Sequence, residues 1–246
     1  MTFIKHSSCL PKELSLKAAV AMSLLFFSQF VIAGSTPTAL PTGGNVQAGA
    51  AAISQNQNTM NINQSSQRAV IGWTTFNVGK NATVNFNQPN ANSATLNIVN
   101  GSSQSMINGT VNANGQVVFV NNNGIVFGKN AEVNVGGMVA TTMNIDPSAF
   151  MSGENTQTYS GHSGKVINKG QITGTNLNSY IALMAPEVRN EGVISATLSG
   201  NNSIALISGQ QVTLTFNQHQ LINIKVVQNT FCKFPDGEIE SFGMIS

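Results

Sequence analysis

Residues 115–137 read GQVVFVNNNGIVFGKNAEVNVGG, a stretch of short apolar runs with only two charged side chains. Asn and Gly interrupt the runs at close intervals. Runs of β-branched and aromatic residues of this length favour strands. Asn-Gly pairs supply the positive φ that sharp corners require. The stretch therefore predicts a chain of short strands joined by tight turns, without helices.

An internal repeat occupies the later half of the chain. VINKGQITG at residues 166–174 returns as VRNEGVISA at residues 188–196, and apolar strands follow at residues 180–184 and 203–207. A regular period of about 20–25 residues is typical of a β-solenoid, whose coils bury their apolar faces on one another. The sequence predicts an all-β, parallel β-helix of about nine coils. A β-sandwich of many short strands is the alternative.

Asparagine is unusually abundant, at 32 of the 213 positions after residue 33. Stacked coils place equivalent side chains on one another, so that Asn amides can form hydrogen-bonded ladders. Asn168 and Asn190 occupy equivalent places in the repeat and are predicted to belong to such a ladder. A preference of Asn for turns explains the same abundance. Because the open ends of a solenoid need caps, residues 46–64 are expected to form an N-terminal β cap.

The N-terminus has the pattern of a secretory signal peptide. Three lysines precede an apolar stretch at residues 18–33, which ends with small residues at Val31-Ile32-Ala33. The stretch is shorter than the roughly 20 apolar residues that span a bilayer. We expect residues 1–33 to be a signal peptide that is cleaved after Ala33. An uncleaved anchor is the alternative.

The remaining chain is expected to divide into three parts. Residues 34–45 are rich in Pro and Gly and are interpreted as a linker or the start of the cap. Residues 46–225 are expected to form the β-helix domain. Residues 226–246 show no solenoid period and are interpreted as a divergent C-terminal tail.

Charge and cysteine content exclude several classes of partner. After residue 33 the chain has eight basic and eight acidic side chains, without a basic cluster. A neutral surface of this kind argues against nucleic acid and anionic lipid as partners. Cys232 is the only cysteine after residue 33, so no intramolecular disulfide can form. We interpret its thiol as structurally incidental.

Catalytic signatures are missing from the sequence. His162 and His219 are the only histidines after residue 33, and no H-E-x-x-H, paired-Cys or G-x-S-x-G motif occurs. Carboxylates are too sparse for the acid–base chemistry of polysaccharide-cleaving β-helices. The sequence predicts that the protein is not an enzyme and needs no metal or cofactor.

Four segments together resemble a known family. They are LPTGGNVQAGAAAISQ at residues 40–55, NINQ at 61–64, WTTFNVGKNATVNFNQPN at 73–90, and FVNNNGIVFGKNAEVNVGGMVATT at 119–142. They are similar to the secretion domain of two-partner secretion exoproteins, the filamentous-haemagglutinin-like and high-molecular-weight adhesins. The resemblance covers about residues 40–225.

The resemblance implies a fold, a partner and a location. The fold is a right-handed parallel β-helix. The domain carries an export address, is recognised by the periplasmic domains of a dedicated outer-membrane β-barrel transporter, and nucleates folding outside the cell. The protein is then secreted to the surface of a Gram-negative bacterium through the periplasm.

Two family motifs can be placed residue by residue. The Trp-x-x-Phe-x-[Val/Ile]-Gly motif falls on Trp73, Phe76, Val78 and Gly79, and the Asn-Pro-Asn-Gly-[Ile/Val] motif falls on Asn121, Asn122, Asn123, Gly124 and Ile125. The resemblance makes these residues candidates for transporter recognition. The alternative is that they are buried anchors and a tight corner. Asn122 stands where the family has proline, which removes a fixed φ and adds a backbone donor, so export efficiency is in question.

Two further expectations concern the rest of the protein. Exoproteins of this family continue for hundreds of residues, so we expect this chain to be truncated after about residue 225. A host-cell or carbohydrate receptor would be bound through the missing downstream region. The alternative function is a self-sufficient surface or periplasmic solenoid adhesin that binds carbohydrate, which should expose clustered aromatic side chains.

Overall fold

The computed structural model describes residues 36–196, 200–217, 220–227, 238–241 and 244–245. The expected signal peptide and Cys232 lie outside these residues. The elements within them are β1 (Asn45–Ala48), β2 (Ala51–Asn56), β3 (Thr59–Gln64), β4 (Arg68–Trp73), β5 (Thr83–Asn87), β6 (Ala94–Val99), β7 (Ser105–Ile107), β8 (Thr110–Val120), β9 (Ile125–Phe127), β10 (Glu132–Thr141), β11 (Asn144–Ile145), α1 (Pro147–Ser152), β12 (Thr156–Ser160), β13 (Lys165–Asn168), β14 (Gln171–Gly174), β15 (Tyr180–Ala185), β16 (Glu187–Asn190), β17 (Val193–Ala196), β18 (Ser203–Ser208), β19 (Gln211–Asn217), β20 (Gln220–Val227), β21 (Glu238–Ser241) and β22 (Met244–Ile245).

Most strands stack in parallel in three ladders. The first ladder contains β3, β5, β8, β10, β14, β17 and β22. The second contains β4, β6, β8, β10, β15 and β18. The third contains β7, β9, β13, β16 and β21. The long strands β8 and β10 bend and contribute to the first and second ladders in turn. This arrangement confirms the predicted parallel β-helix.

The repeat found in the sequence is one coil of this helix. Val166 pairs with Val188 and Asn168 with Asn190, at the predicted offset, while Ile172 pairs with Ile194. The apolar strands β15 and β18 also pair in parallel along their full length. Neighbouring strands of the ladders are therefore equivalent segments of successive coils, which excludes the β-sandwich.

The N-terminal cap is antiparallel. β1 pairs with β4 and β2 pairs with β3, both in antiparallel register, so they cover the edge of the first coil. Residues 36–45, part of the segment interpreted as a linker or the start of the cap, contact this cap. Leu40 and Pro41 are buried, and the backbone N–H of Thr42 donates to the Thr75 carbonyl at 3.0 Å. An apolar side chain and a backbone bridge thus hold a segment whose Pro and Gly content indicated a loop.

Two layers of apolar side chains explain the strand sequences. Alternate residues of the second ladder, such as Val117 and Phe119, point into the core enclosed by the three ladders. The residues between them, such as Val118 and Val139, form a second cluster on the outer face. Because both faces are buried, these strands are apolar throughout instead of alternating.

An outer sheet covers that second cluster. β11, β12, β19 and β20 form a four-stranded antiparallel sheet. Its Tyr159, Val212 and Leu214, together with Phe150 of α1, pack against Val118 and other outward side chains of the second ladder. This sheet positions α1 next to the start of β4.

The helix α1 shows that the prediction of no helices was wrong. Asp146 caps its N-terminus by accepting from the Ser148 N–H at 2.9 Å, and Pro147 begins its first turn. Gly153 ends it at φ 75°. Buried Phe150 holds it to the outer face of the second ladder. No helix among the described residues has the length and apolar character to cross a membrane.

The outer sheet also corrects two other expectations. The β-helix has about six turns instead of the nine coils predicted. The difference arises because residues 144–160 and 211–227 leave the coils to build the outer sheet. The chain then returns: β21 pairs in parallel with β16, and β22 with β17. Parallel stacking therefore extends beyond Lys225. The hairpin of β19 and β20 interrupts the repeat of the coils. From the sequence, this interruption indicated the end of the repeat at Lys225.

The two tyrosines of the chain lie in the second apolar cluster. The Tyr159 hydroxyl donates to Gln157 Oε1 at 2.8 Å, and the Tyr180 hydroxyl donates to Gln116 Oε1 at 3.0 Å. Burial raises the pKa of both phenols above the usual value, because an anion loses its hydration there. Ionisation of either phenol would place an anion in the apolar contact between the outer sheet and the second ladder.

We therefore expect alkaline unfolding. Below about pH 10 folded and unfolded chains both keep the phenol protons, so the tyrosines add no pH dependence. Above it the unfolded chain releases protons that the folded chain retains, and the free energy of unfolding falls. Phenolate absorbance and loss of β circular dichroism should appear in one step. Phenolate formation with unchanged dichroism would contradict this expectation, and the chain in urea, titrating near pH 10, is the control.

Candidate functional site

The first motif forms a buried aromatic cluster at the start of the helix. Trp73 ends β4, and its ring meets Phe76 edge-on, with centroids 5.3 Å apart. Phe76 also contacts Phe119 at 5.0 Å and stacks near Phe86 at 6.5 Å. Trp73 and Phe76 are both 1% exposed. These side chains are buried anchors of the first coils.

The turn after this cluster closes the edge of the third ladder. Val78 pairs with Ile107 of β7 as an isolated bridge, and Val78 N donates to the Met106 carbonyl at 3.0 Å. The side chain of Asn77 accepts from Met106 N at 2.8 Å. Asn77 therefore substitutes for a missing strand at this edge.

Gly79 contacts the backbone of the N-terminal segment, residues 36–39. Its N–H donates to the Ala39 carbonyl at 2.8 Å, and Asn81 N donates to the Pro37 carbonyl at 2.7 Å. A Cβ on residue 79 would collide with the carbonyl oxygens of Thr36 and Pro37. Glycine is needed here because the backbone of residues 36–39 passes too close for any side chain.

The second motif forms a tight corner between β8 and β9. Asn121 is fully buried, and its Nδ2 donates to the Ser103 carbonyl at 3.0 Å and to Ser105 Oγ at 2.9 Å. Its Oδ1 accepts from Asn123 N at 3.0 Å. Gly124 N donates to the Asn121 carbonyl at 3.0 Å, and Gly124 has φ 117°. Asn121 thus fixes both this corner and the one in the preceding coil.

The residue in the proline position has a structural role. Asn122 is the second residue of the four-residue turn, where proline is tolerated. Its Nδ2 donates to the Thr142 carbonyl of the next coil at 2.9 Å. The departure from the family motif thus replaces a fixed φ with a hydrogen bond between coils.

The structure brings the two motifs to one corner of the helix. Asn100 N donates to the Trp73 carbonyl at 2.8 Å, which places residue 100 on the next coil. Asn123 Nδ2 donates to the Gly101 carbonyl at 2.8 Å, which places Asn123 on the coil after that one. Ile125 lies buried in the core just beyond this corner. Residues 100 and 101 therefore link Trp73 and Asn123, which are far apart in sequence.

Asn side chains form ladders along the coils in the described part of the chain. Asn168 Nδ2 donates to Asn190 Oδ1 at 2.8 Å, and both residues are fully buried. A longer row of hydrogen-bonded Asn side chains runs along the first ladder of strands and was not predicted from the sequence. It joins Asn61, Asn85, Asn112 and Asn134 through side-chain bonds of 3.0, 3.0 and 3.2 Å. The signal was an Asn after the first apolar residue of each strand.

Other residues of the site were also missed. Asn97 lies in the apolar strand β6, is fully buried, and accepts from Trp73 Nε1 at 3.0 Å. A polar residue within an apolar run was the available signal. Residues 36–39 and Asn77 carried no such signal in the sequence, because their role comes from contacts between different coils.

Metal ligands and ion pairs contribute little to this site. In the described ranges, no group of three or more His, Cys, Asp or Glu side chains is placed to hold a metal ion. The ion pairs seen there lie elsewhere, on the third ladder, where Lys165 pairs with Glu187 and Arg189 with Glu191. The site is built from aromatic packing and amide hydrogen bonds.

Comparison with known proteins now defines the class. The family model for the TPS secretion domain matches residues 38–239. The crystal structure of the HMW1 secretion domain from Haemophilus influenzae superimposes with a TM-score of 0.70 at 31% identity, covering 83% of this chain and 53% of that one. The filamentous hemagglutinin secretion domain shares the fold, with a TM-score of 0.55 at 17% identity, covering 83% and 76%.

The chain belongs to the TPS secretion domain family. It is also 35% identical over 187 residues to a heme/hemopexin-binding protein of Haemophilus influenzae strain Rd, covering 74% of this chain and 20% of that protein. The chain therefore spans about a fifth of that relative's length. Exoproteins of this family are secreted through the periplasm to the cell surface, and their TPS domains are recognised by an outer-membrane transporter. The family is not one of enzymes.

Proposed function

We propose that this domain carries the export address of an adhesin-type exoprotein. The periplasmic domains of a dedicated outer-membrane β-barrel transporter recognise it, and the domain nucleates β-helix folding outside the cell. Residues 1–33 act as the signal peptide that delivers the chain to the periplasm. Membership of the TPS family supports this proposal.

The stacking of both motifs at one corner is the observation that carries the proposal. Of the motif residues, Trp73, Phe76, Gly79, Asn121, Gly124 and Ile125 are buried, and only Asn123 is exposed. Its neighbours Ser102, Ser103 and Gln104 are exposed as well. A transporter that reads the folded corner would contact this polar surface, while the buried motif residues would act through folding.

Release from cells that express the chain with or without a cognate transporter tests the proposal. We expect transporter-dependent release that falls several-fold in Asn123→Ala. The variant loses the exposed bond to the Gly101 carbonyl and a 3.2 Å bond to Asn121 Oδ1, so its free energy of unfolding should drop by about 1–2 kcal/mol. Asn130→Ala changes an exposed Asn in another turn and is the matched control.

A variant of the buried Asn121 distinguishes a defect in transporter recognition from a defect in folding. Asn121→Ala leaves the Ser103 carbonyl and the buried Ser105 hydroxyl without their donor, which should cost about 2–3 kcal/mol. Release that is independent of the transporter would refute the proposal. Release that tracks stability across Asn121→Ala, Asn123→Ala and Asn130→Ala would assign the corner to folding alone.

The alternative of a carbohydrate-binding adhesin that uses aromatic stacking gains no support. The exposed large apolar side chains in the described part of the chain are Leu177, Val193, Ile224 and Val226. None of them is aromatic, whereas stacking on sugars requires aromatic faces. We propose that a receptor recognised through aromatic stacking would contact a region outside this domain.

A further inference from the structure

Arg68 has an unusual position on the side of the β-helix. It is one of two arginines in the chain and begins β4. Its carbonyl accepts from Ser66 Oγ at 2.6 Å, which fixes the backbone. Its guanidinium carbon lies 5.2 Å from the centroid of the Phe150 ring. Backbone and side chain are both held before any ligand binds.

The guanidinium has no acceptor among the described residues. The ion pairs within them involve Lys165, Lys169 and Arg189, and no side-chain hydrogen bond of Arg68 occurs there. Burial lowers the pKa of Arg68, because the cation is partly removed from water. A half-buried cation without a counter-charge is costly, and an anion bound to it would offset that cost.

An open cleft of about 570 Å³ lies in front of this guanidinium. Its walls are Gln67, Asn90, Ala91, Asn92 and Gly153. The loop that carries Asn90 and Asn92 is ordered, since Asn92 N donates to Asn90 Oδ1 at 2.9 Å. A Cβ on Gly153 would come within 3.2 Å of Arg68 Nε, so glycine leaves room for the arginine.

The cleft combines one kind of charge with several amides. The fork of N–H donors on a guanidinium matches a carboxylate in a bidentate geometry. Side-chain amides donate and accept hydrogen bonds and so suit hydroxyl groups. The volume lies within the range of small-ligand sites.

We propose that this cleft binds a carboxylate-bearing sugar of the uronic acid type, with the carboxylate on Arg68 and the hydroxyls on Gln67, Asn90 and Asn92. This proposal does not depend on whether the domain directs export, since the residues that line the cleft are not those that form the corner of the two motifs.

The two arginines give a direct assay. The ¹⁵N spectrum of the purified chain should contain two arginine Nε–H signals, and Arg68→Gln assigns the one from Arg68. We expect glucuronate to shift that signal and the amide of Gly153, while glucose at equal concentration leaves both in place. Arg68→Gln should weaken glucuronate binding about tenfold or more, and Arg68→Lys should weaken it less, because it keeps the charge but loses the fork.

Controls keep the proposal open to refutation. Arg189→Gln removes the other arginine and should leave binding unchanged. Asn92→Ala alters an exposed loop residue, is expected to fold normally, and should weaken glucuronate binding a few-fold without changing the response to acetate. Equal responses to acetate and glucuronate would overturn the sugar assignment, as would tighter binding of N-acetylglutamate. Shifts that persist in Arg68→Gln would overturn the site.

Discussion

Replacing Phe76 with alanine is expected to lower the free energy of unfolding by about 3–5 kcal/mol. Its ring is fully buried and contacts the rings of Trp73, Phe86 and Phe119, which come from three successive coils. A cavity at this point would loosen the first coils together. Urea denaturation followed by circular dichroism and by the fluorescence of the single tryptophan, Trp73, measures the loss.

Phe150 provides the matched control for this prediction. It is equally buried, but it lies in the second cluster, outside both motifs. Phe150→Ala should destabilise the protein by a similar amount. If both variants reduce transporter-dependent release equally, Phe76 acts through stability alone. A loss of less than about 1 kcal/mol in Phe76→Ala would show that the aromatic cluster does not anchor the coils.

Replacing Gly79 with alanine is the second change with a large expected effect. The new Cβ would meet the carbonyl oxygens of Thr36 and Pro37, so residues 36–39 must move away. The bonds from Gly79 N to Ala39 and from Asn81 N to Pro37 would then be lost. We expect a loss of about 2 kcal/mol or more, since two backbone bonds and buried surface disappear.

Hydrogen exchange locates this effect. The amides of Gly79 and Asn81 should exchange faster in Gly79→Ala, while those of the third ladder should be unchanged. Lys80→Ala alters an exposed residue of the same turn and should stay within about 0.5 kcal/mol of the natural protein. Unaltered protection of the Asn81 amide in Gly79→Ala would show that the segment 36–39 does not depend on the glycine.

Both variants concern residues that the sequence marked as a motif with two alternative roles. The aromatic identity of Trp73 and Phe76 indicated buried anchors as the alternative to transporter recognition, because large aromatic side chains dominate cores. Nothing local indicated that Gly79 contacts the N-terminal segment. A close backbone approach depends on residues about 40 positions earlier in the chain, and its only local trace is the glycine itself.

The stacking of the coils was predictable for a simple reason. Strand and turn preferences act locally, and a coil that repeats them at a fixed period can bury its apolar face only on another copy. Residues 166–174 and 188–196 therefore predicted their own pairing, including Asn168 opposite Asn190. The same reasoning overestimated the number of coils, since it assigned every strand to the helix.

The sequence by itself determined the all-β class, the parallel coils, the cap and the two motifs, because local preferences and a repeated period carry that information. Only the tertiary structure decided which strands leave the coil. The outer sheet of β11, β12, β19 and β20 forms because the outward face of the second ladder is apolar and must be covered. That covering placed α1 beside Arg68. Such long-range burial depends on contacts between distant segments, which no local pattern specifies.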